Sequence, residues 1–282
     1  MKKYKIYILG ILFTAYFAVS LFGEDKKNVR VVSLSPNLTE LVFYLGEEGQ
    51  LVGRSSACDY PPEVKKIPSV GGFGKPSLEQ LISLKPDVVI ASALADPGLK
   101  NSIEQLGVKF YMFPGKSLED YYTTVAVLGR ILNCRKKADK EIRRVKEGIA
   151  NFANMNKLPK KKSVPKVYLE VWNRPYMTVG NRSFINDIIE YAGGRNIAAA
   201  QSKDYFNCSV EWIITSRPDI IICPAMKNGD EADVKQRKGW QSIPAVKNNR
   251  IYVNFNPDLI YRLGPRILEG IACLRKIITD EK

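Results

Sequence analysis

Apolar positions in this chain follow two rhythms. In some stretches they recur three and four residues apart, as on one face of a helix; in others three or more stand together between turn residues, as in a strand covered on both sides. Residues 77–90, SLEQLISLKPDVVI, hold both in succession. Leu78, Leu81, Ile82 and Leu84 fall on one helical face, and Ser77 stands where its hydroxyl caps the first turn. Pro86 ends the helix by keeping the residue before it out of the right-handed helical region. Residues 88–90 then read as a buried strand. The same unit returns 132 positions later as residues 209–222, SVEWIITSRPDIII. Ser77 matches Ser209, Glu79 matches Glu211, Pro86 matches Pro218 and Asp87 matches Asp219. A helix–strand unit used twice predicts two similar α/β lobes.

The remaining pattern fits around these copies. Strands are expected over 29–34, 51–53, 108–113, 166–171 and 250–255, and helices over 37–45, 98–106, 182–191 and 264–279. Residues 54–76 read as a long irregular stretch containing CDYPP and GGFG, and a loop of that length usually has a task. Loops are also expected at 172–176, 196–207 and 256–263, with an exposed Gly-Trp pair at 239–240. Residues 117–156 carry a helical pattern with a break near 133–136. A helix of that length between the two copies reads as a strut joining the lobes; a surface helix of a single domain is the other reading.

Composition narrows the chemistry. The chain has 282 residues, 45% hydrophobic and 26% charged, enough for two modest cores. It contains no histidine, which removes the commonest metal ligand and the usual general base. The five cysteines, at 58, 134, 208, 223 and 273, form no CxxC. Cys223, at the end of an apolar run, reads as a small buried apolar residue. Residues 1–23 have a basic start, an apolar run and small residues at Ala18, Ser20 and Gly23, the pattern of a secretory signal. An uncleaved membrane anchor is the alternative, and either places the rest outside the cytoplasm. The formal charge is +14, and removing Lys2, Lys3 and Lys5 with the leader leaves 14 − 3 = +11. No nucleic-acid motif accompanies it, so it reads as a solvated basic surface. The expected division is a signal at 1–23, a first α/β lobe at 24–116, a helical linker at 117–158 and a second lobe at 159–282.

The succession SLSPNLTELVFYLG, SACDYPPEVKKIPSVGGF, PSLEQLISLKPDVVIAS and, near the end, GPRILEGIACL resembles the ABC-transporter substrate-binding proteins for cobalamin, haem and ferric siderophores. That resemblance implies two lobes of parallel-sheet βα units joined by one long helix, a ligand cleft between them, little closure on binding, and delivery to an inner-membrane permease. It implies a monomer with no resident cofactor and no nucleic-acid partner, the metal arriving inside a small-molecule chelate. A cobalamin-like corrinoid is the expected ligand, because Cys58–Pro62 resembles the cobalamin form. Haem or a ferric siderophore is the alternative, with Tyr60 as a metal ligand only for haem. Family members also pair a cysteine before the second-lobe Gly-Gly with one in the last helix; here Ala192 stands in the first place and Cys273 remains, so that disulfide is not expected.

Candidate ligand contacts are the aromatics of the post-strand loops, which suit a flat macrocycle: Tyr60 and Phe73 in the first lobe, Trp172, Tyr176, Tyr205 and Phe206 in the second. Asp258 stands where the resemblance to cobalamin binders implies an acid facing the corrin amides. Arg174 and Arg262 are candidates for anionic groups on the ligand, whereas Arg182 reads as a surface arginine and Arg266 as structural. Glu79 and Glu211 stand two residues after their capping serines and complete no capping box. They resemble the family's paired acids that dock on permease arginines. The rival of another class is a tetrapyrrole-handling enzyme of chelatase-like fold; an anchored adhesion or sensor protein is the third.

Overall fold

The computed structural model describes residues 28–93, 95, 98–157, 163–224, 231–253 and 255–279, so the leader at 1–23 lies outside the described residues. The first lobe opens with β1 (Val31–Ser33), α1 (Pro36–Tyr44) and β2 (Leu51–Arg54). A small hairpin, β3 (Gly71–Gly72) and β4 (Lys75–Pro76), precedes α2 (Leu78–Ser83), β5 (Val88–Ser92), α3 (Gly98–Glu104) and β6 (Lys109–Phe113). The sheet runs β2-β1-β5-β6, all parallel. Two helices follow, α4 (Leu118–Ile131) and α5 (Arg135–Lys157). They are separated at the expected break, where Asn133 takes a left-handed backbone (φ +54°).

The second lobe holds β7 (Lys166–Leu169), β8 (Trp172–Asn173), β9 (Tyr176–Val179), α6 (Phe184–Tyr191), β10 (Arg195–Asn196) and β11 (Tyr205–Asn207). It continues through α7 (Val210–Ser216), β12 (Ile220–Ile222), α8 (Glu231–Lys235), α9 (Pro244–Lys247) and β13 (Ile251–Tyr252), and ends with α10 (Asp258–Tyr261) and α11 (Ile267–Thr279). Its main sheet runs β10-β7-β12-β13, parallel throughout, beside an antiparallel β11-β9-β8 sheet.

The repeat is therefore structural. Its strands, β5 and β12, take the third place in their respective sheets. Ser77 and Ser209 each cap a helix, accepting hydrogen bonds from the amides of Gln80 (3.3 Å) and Trp212 (3.1 Å). The shared aspartates pin strand register. Asp87 accepts from the Arg30 amide (2.9 Å) and Asp219 from the Lys166 amide (2.8 Å), each at the start of the neighbouring strand. The residues before the two prolines leave the right-handed region as expected and enter the left-handed one, at φ +47° for Lys85 and +50° for Arg217.

One apolar core serves both lobes. Alternate strand residues point inward: Val31 and Ile90 from the first sheet, Val167, Leu169, Ile220 and Ile222 from the second. Between them lie Ala138, Val145 and Ile149 of α5, spaced for one helical face. The opposite faces carry separate smaller cores, around Val32 and Val89 in one lobe and Tyr168, Ile221 and Trp240 in the other.

Several expected loops are ordered elements. Residues 172–176 form the β8–β9 hairpin, 196–207 contains β10 and β11, and 256–263 contains α10. Trp240, read as exposed, is fully buried, its ring 6.0 Å from that of Tyr168. Gly239 at φ +84° makes the turn that precedes its short helical segment. The helical face of the first copy is narrower than its pattern suggested, since Ile82 is 42% exposed.

The strut fits tightly. A Cβ at Gly129 of α4 would run into the Cβ of Ala138 on α5. Gly129→Ala gains helix propensity, yet overpacking outweighs it, and the expected net loss is about 1–2 kcal/mol by urea unfolding.

Candidate functional site

A cleft of about 610 Å³ opens between the lobes. Its first-lobe wall comes from the carboxyl ends of a parallel sheet, where side chains are free to face a ligand, and its second-lobe wall from the antiparallel β9–β11 region, the start of α6 and the end of α10. Asn37, Ala57 and Lys116 stand after β1, β2 and β6, and Ser92 ends β5. The second lobe contributes Arg182, Ser183, Asp204, Tyr205, Tyr261 and Arg262. The floor of the first lobe is stitched together: the Ser92 amide donates to Ser35 Oγ at 2.8 Å, and the two hydroxyls lie 3.2 Å apart.

Three predicted contacts line this cleft: Phe73, Tyr205 and Arg262. Phe73 sits at the tip of the β3–β4 hairpin and is 40% exposed. The hairpin depends on Gly71 at φ +118°, where a Cβ would lie 2.9 Å from the Lys75 carbonyl oxygen. Tyr205 is also half exposed. Tyr261 joins them, its phenol donating to the Glu170 carbonyl at 3.3 Å, and burial pushes its pKa far above that of a free phenol. It is thus a neutral ring and donor at physiological pH.

The other predicted contacts lie outside the lining. Tyr60 is stacked beneath the Arg266 guanidinium, 3.9 Å from its ring centre. Trp172 is 57% exposed and its indole N–H donates to the Arg174 carbonyl at 3.0 Å, closing the β8–β9 turn. Tyr176 packs 5.5 Å from Trp240, and the Arg237 guanidinium lies over both rings, 5.1 and 4.5 Å from their centres. Phe206 packs on Trp212 at 5.7 Å. Successive strand residues face opposite ways, so Tyr205 and Phe206 on β11 cannot both reach one surface.

Arg262 and Asp258 belong to an ion-pair cluster that ties the lobes together. Glu40 of α1, with its side chain 2% exposed, accepts from Arg262 (2.8 Å) and from two nitrogens of Arg266 (2.8 and 2.9 Å). Arg262 also pairs with Asp59 at 2.8 Å and Asp258 at 3.1 Å. Burial pushes the Asp258 carboxyl up, and the Arg262 charge offsets only part of that. For Asp59 burial is outweighed by the Arg262 hydrogen bond and charge, and its carboxyl sits below the usual range. A second polar link crosses at the strut: Glu141 of α5 accepts from Tyr121 (2.7 Å) and Arg144 (2.7 and 2.8 Å), and Arg144 reaches the Pro265 carbonyl at 2.6 Å.

Sequence reasoning missed Lys116, Asp204 and Tyr261, and placed Arg182 on the general surface. Pro114 and Gly115 break the chain directly after β6, a signal that Lys116 stands at a strand's carboxyl end. Glu79 and Glu211 are exposed in the first turns of α2 and α7. Glu211 is held below the usual carboxyl range by its own backbone amide and the Ser209 hydroxyl. None of the five cysteines is joined in a disulfide. Among the described residues no group of three His, Cys, Asp or Glu could hold a metal ion, and no helix is long and apolar enough to cross a membrane.

Removing the shared acceptor tests the interlobe cluster. Glu40→Gln leaves two arginines with 13–14% exposed side chains short of a charge partner, and is expected to cost about 3 kcal/mol in urea unfolding.

Known proteins share this architecture. A family model described as periplasmic binding protein matches residues 31–254. An uncharacterized ABC transporter substrate-binding lipoprotein of Bacillus subtilis, YvrC, is 32% identical over 269 residues, covering 93% of this chain and 83% of the relative. A protein of Vibrio parahaemolyticus described as vitamin B12-binding is 28% identical over 262 residues, covering 92% and 93%. The solved structure of a periplasmic heme binding protein from Pseudomonas aeruginosa matches with a TM-score of 0.80 at 26% identity, covering 89% of this chain and 93% of that one.

Proposed function

For this chain, which belongs to the periplasmic binding protein family, we propose that the interlobe cleft captures a cobalamin-like corrinoid and that the protein delivers it to an ABC permease. Its class is that of solute-binding proteins of ABC importers, not enzymes. The observation that carries the ligand reading is the convergence of Phe73 from one lobe with Tyr205 and Tyr261 from the other on a single cleft of about 610 Å³. Flat rings on two walls suit a flat macrocycle, and pockets of this size that combine apolar walls with a few polar anchors are the usual small-molecule design. With no histidine in the chain the commonest protein metal ligand is missing, which favours a metal already held in a chelate. The relative described as vitamin B12-binding supports the corrinoid.

Haem is the second reading. It is supported by the similarity to a heme binding protein; Tyr60, 43% exposed though outside the cleft lining, is the side chain whose phenol oxygen suits ferric iron. The leader at 1–23 fits export.

Glu79 and Glu211 are the proposed docking pair. Each helix runs antiparallel to the strand after it, so both acids stand at the carboxyl edge of their sheets, the side of the cleft. Charges so placed would set orientation and encounter rate with a basic permease surface more than affinity.

Calorimetric titration of the purified protein with cyanocobalamin should show saturable one-to-one binding. Phe73→Ala and Tyr205→Ala should each weaken it about tenfold. Saturable binding of haem alone would move the assignment to the second reading; binding of neither would remove both. The double change Glu79→Ala with Glu211→Ala should leave affinity unchanged and lower uptake by cells roughly tenfold; unaltered uptake would refute the docking role.

A further inference from the structure

Two cations line the cleft with far fewer partners than Arg262. Lys116 comes from the first lobe, after β6, and Arg182 from the second, just before α6. Lys116 Nζ lies 2.7 Å from Asp204 Oδ2, and Arg182 Nε lies 3.5 Å from Asp204 Oδ1. The second distance is an ion pair without a hydrogen bond. The two side chains are 51% and 60% exposed. Two positive charges therefore share one carboxylate, and the set faces the cleft with a net charge of 2 − 1 = +1. Arg262 contrasts with them: its side chain is 14% exposed and meets three carboxylates, those of Glu40, Asp59 and Asp258.

We propose that Lys116 and Arg182 form an oxyanion subsite of the cleft, with Asp204 as a resident counter-ion that a carboxylate or phosphate group on the ligand replaces. Exposed ion pairs are loosely held and readily exchanged. A guanidinium with its terminal nitrogens open takes a carboxylate or phosphate through two parallel hydrogen bonds, and the ammonium adds a point charge from the opposite lobe. An incoming oxyanion keeps both cations paired and spans the two walls. Asp204 moves aside to water: its side chain is 32% exposed, and Oδ1, buried without a hydrogen-bond partner, gains one on turning outward. The subsite rests on the reading of the cleft as a ligand site, and it narrows the ligand to a flat chelate bearing a peripheral acid. Neutral chelates of the same shape gain nothing from it.

The test compares four proteins: the parent, Arg182→Gln, Lys116→Gln and Asp204→Asn. Citrate serves first as a simple oxyanion probe in thermal unfolding, since a ligand of the folded state raises Tm. Citrate should stabilise Asp204→Asn most and the two cation variants least. Equal stabilisation of all four would overturn the subsite whatever tetrapyrrole the protein binds. Protoporphyrin IX and its dimethyl ester then read the carboxylate on a shared macrocycle. For whichever acid-bearing probe binds, Arg182→Gln should weaken binding about fivefold and Asp204→Asn should strengthen it about threefold, with the matched neutral probe unmoved. Weaker binding on Asp204→Asn, or equal effects on the acid and its neutral partner, would contradict the proposal. If the parent binds no tetrapyrrole, the corrinoid and haem readings fall while the citrate series still decides the subsite.

Discussion

The structure depends on α5 burying one stripe of small and aliphatic residues against both lobes at once. Each parallel sheet has two faces to cover, and only the outer face of each is closed by its own small core. The inner faces share a core with Ala138, Val145 and Ile149 of the strut. At 1.5 Å per residue its 23 residues reach about 35 Å, and along that length it packs on α4, α6 and α11. With both lobes packed on one rod, the loops that line the cleft are held facing one another.

Polar contacts across that cleft differ in weight. The Glu40 cluster is nearly buried, with hydrogen bonds from two arginines, and its loss would strand charge in a poorly solvated place. The Lys116–Asp204 pair is half exposed, screened and easily exchanged. The first kind holds the lobes together; the second is free to respond to a ligand. A cleft fixed by core and buried ion pairs loses little freedom when it binds, which favours affinity without a large closure. This fits a carrier that must receive a bulky chelate and present it to a permease.

The fold was legible where local rules coincide with the global answer. The repeat carried its caps, its proline stops and its strands in one register, and each proved to be what the residues allow. The roles of Asp87 and Asp219 were not legible, because their partners, the amides of Arg30 and Lys166, are 57 and 53 positions away. The cleft was harder still. Of the aromatics expected there, Phe73 and Tyr205 line the cleft, but Tyr176 and Phe206 turn to second-lobe packing partners that no local pattern names. Arg262 lines the cleft as expected and yet is saturated by Glu40, 222 positions away. Lys116 and Arg182 became visible as a pair only once the two lobes faced one another.

The claim that the strut makes one cooperative body of both lobes has a direct test in the chain's own chromophores. All three tryptophans, at 172, 212 and 240, belong to the second lobe, whereas far-ultraviolet circular dichroism reports helix in both. Urea unfolding should be followed by both signals on the same samples. The shared core predicts coincident transitions with one midpoint, the mark of two-state behaviour. A tryptophan transition displaced from the dichroism transition would mean that the lobes unfold separately, and would contradict the account.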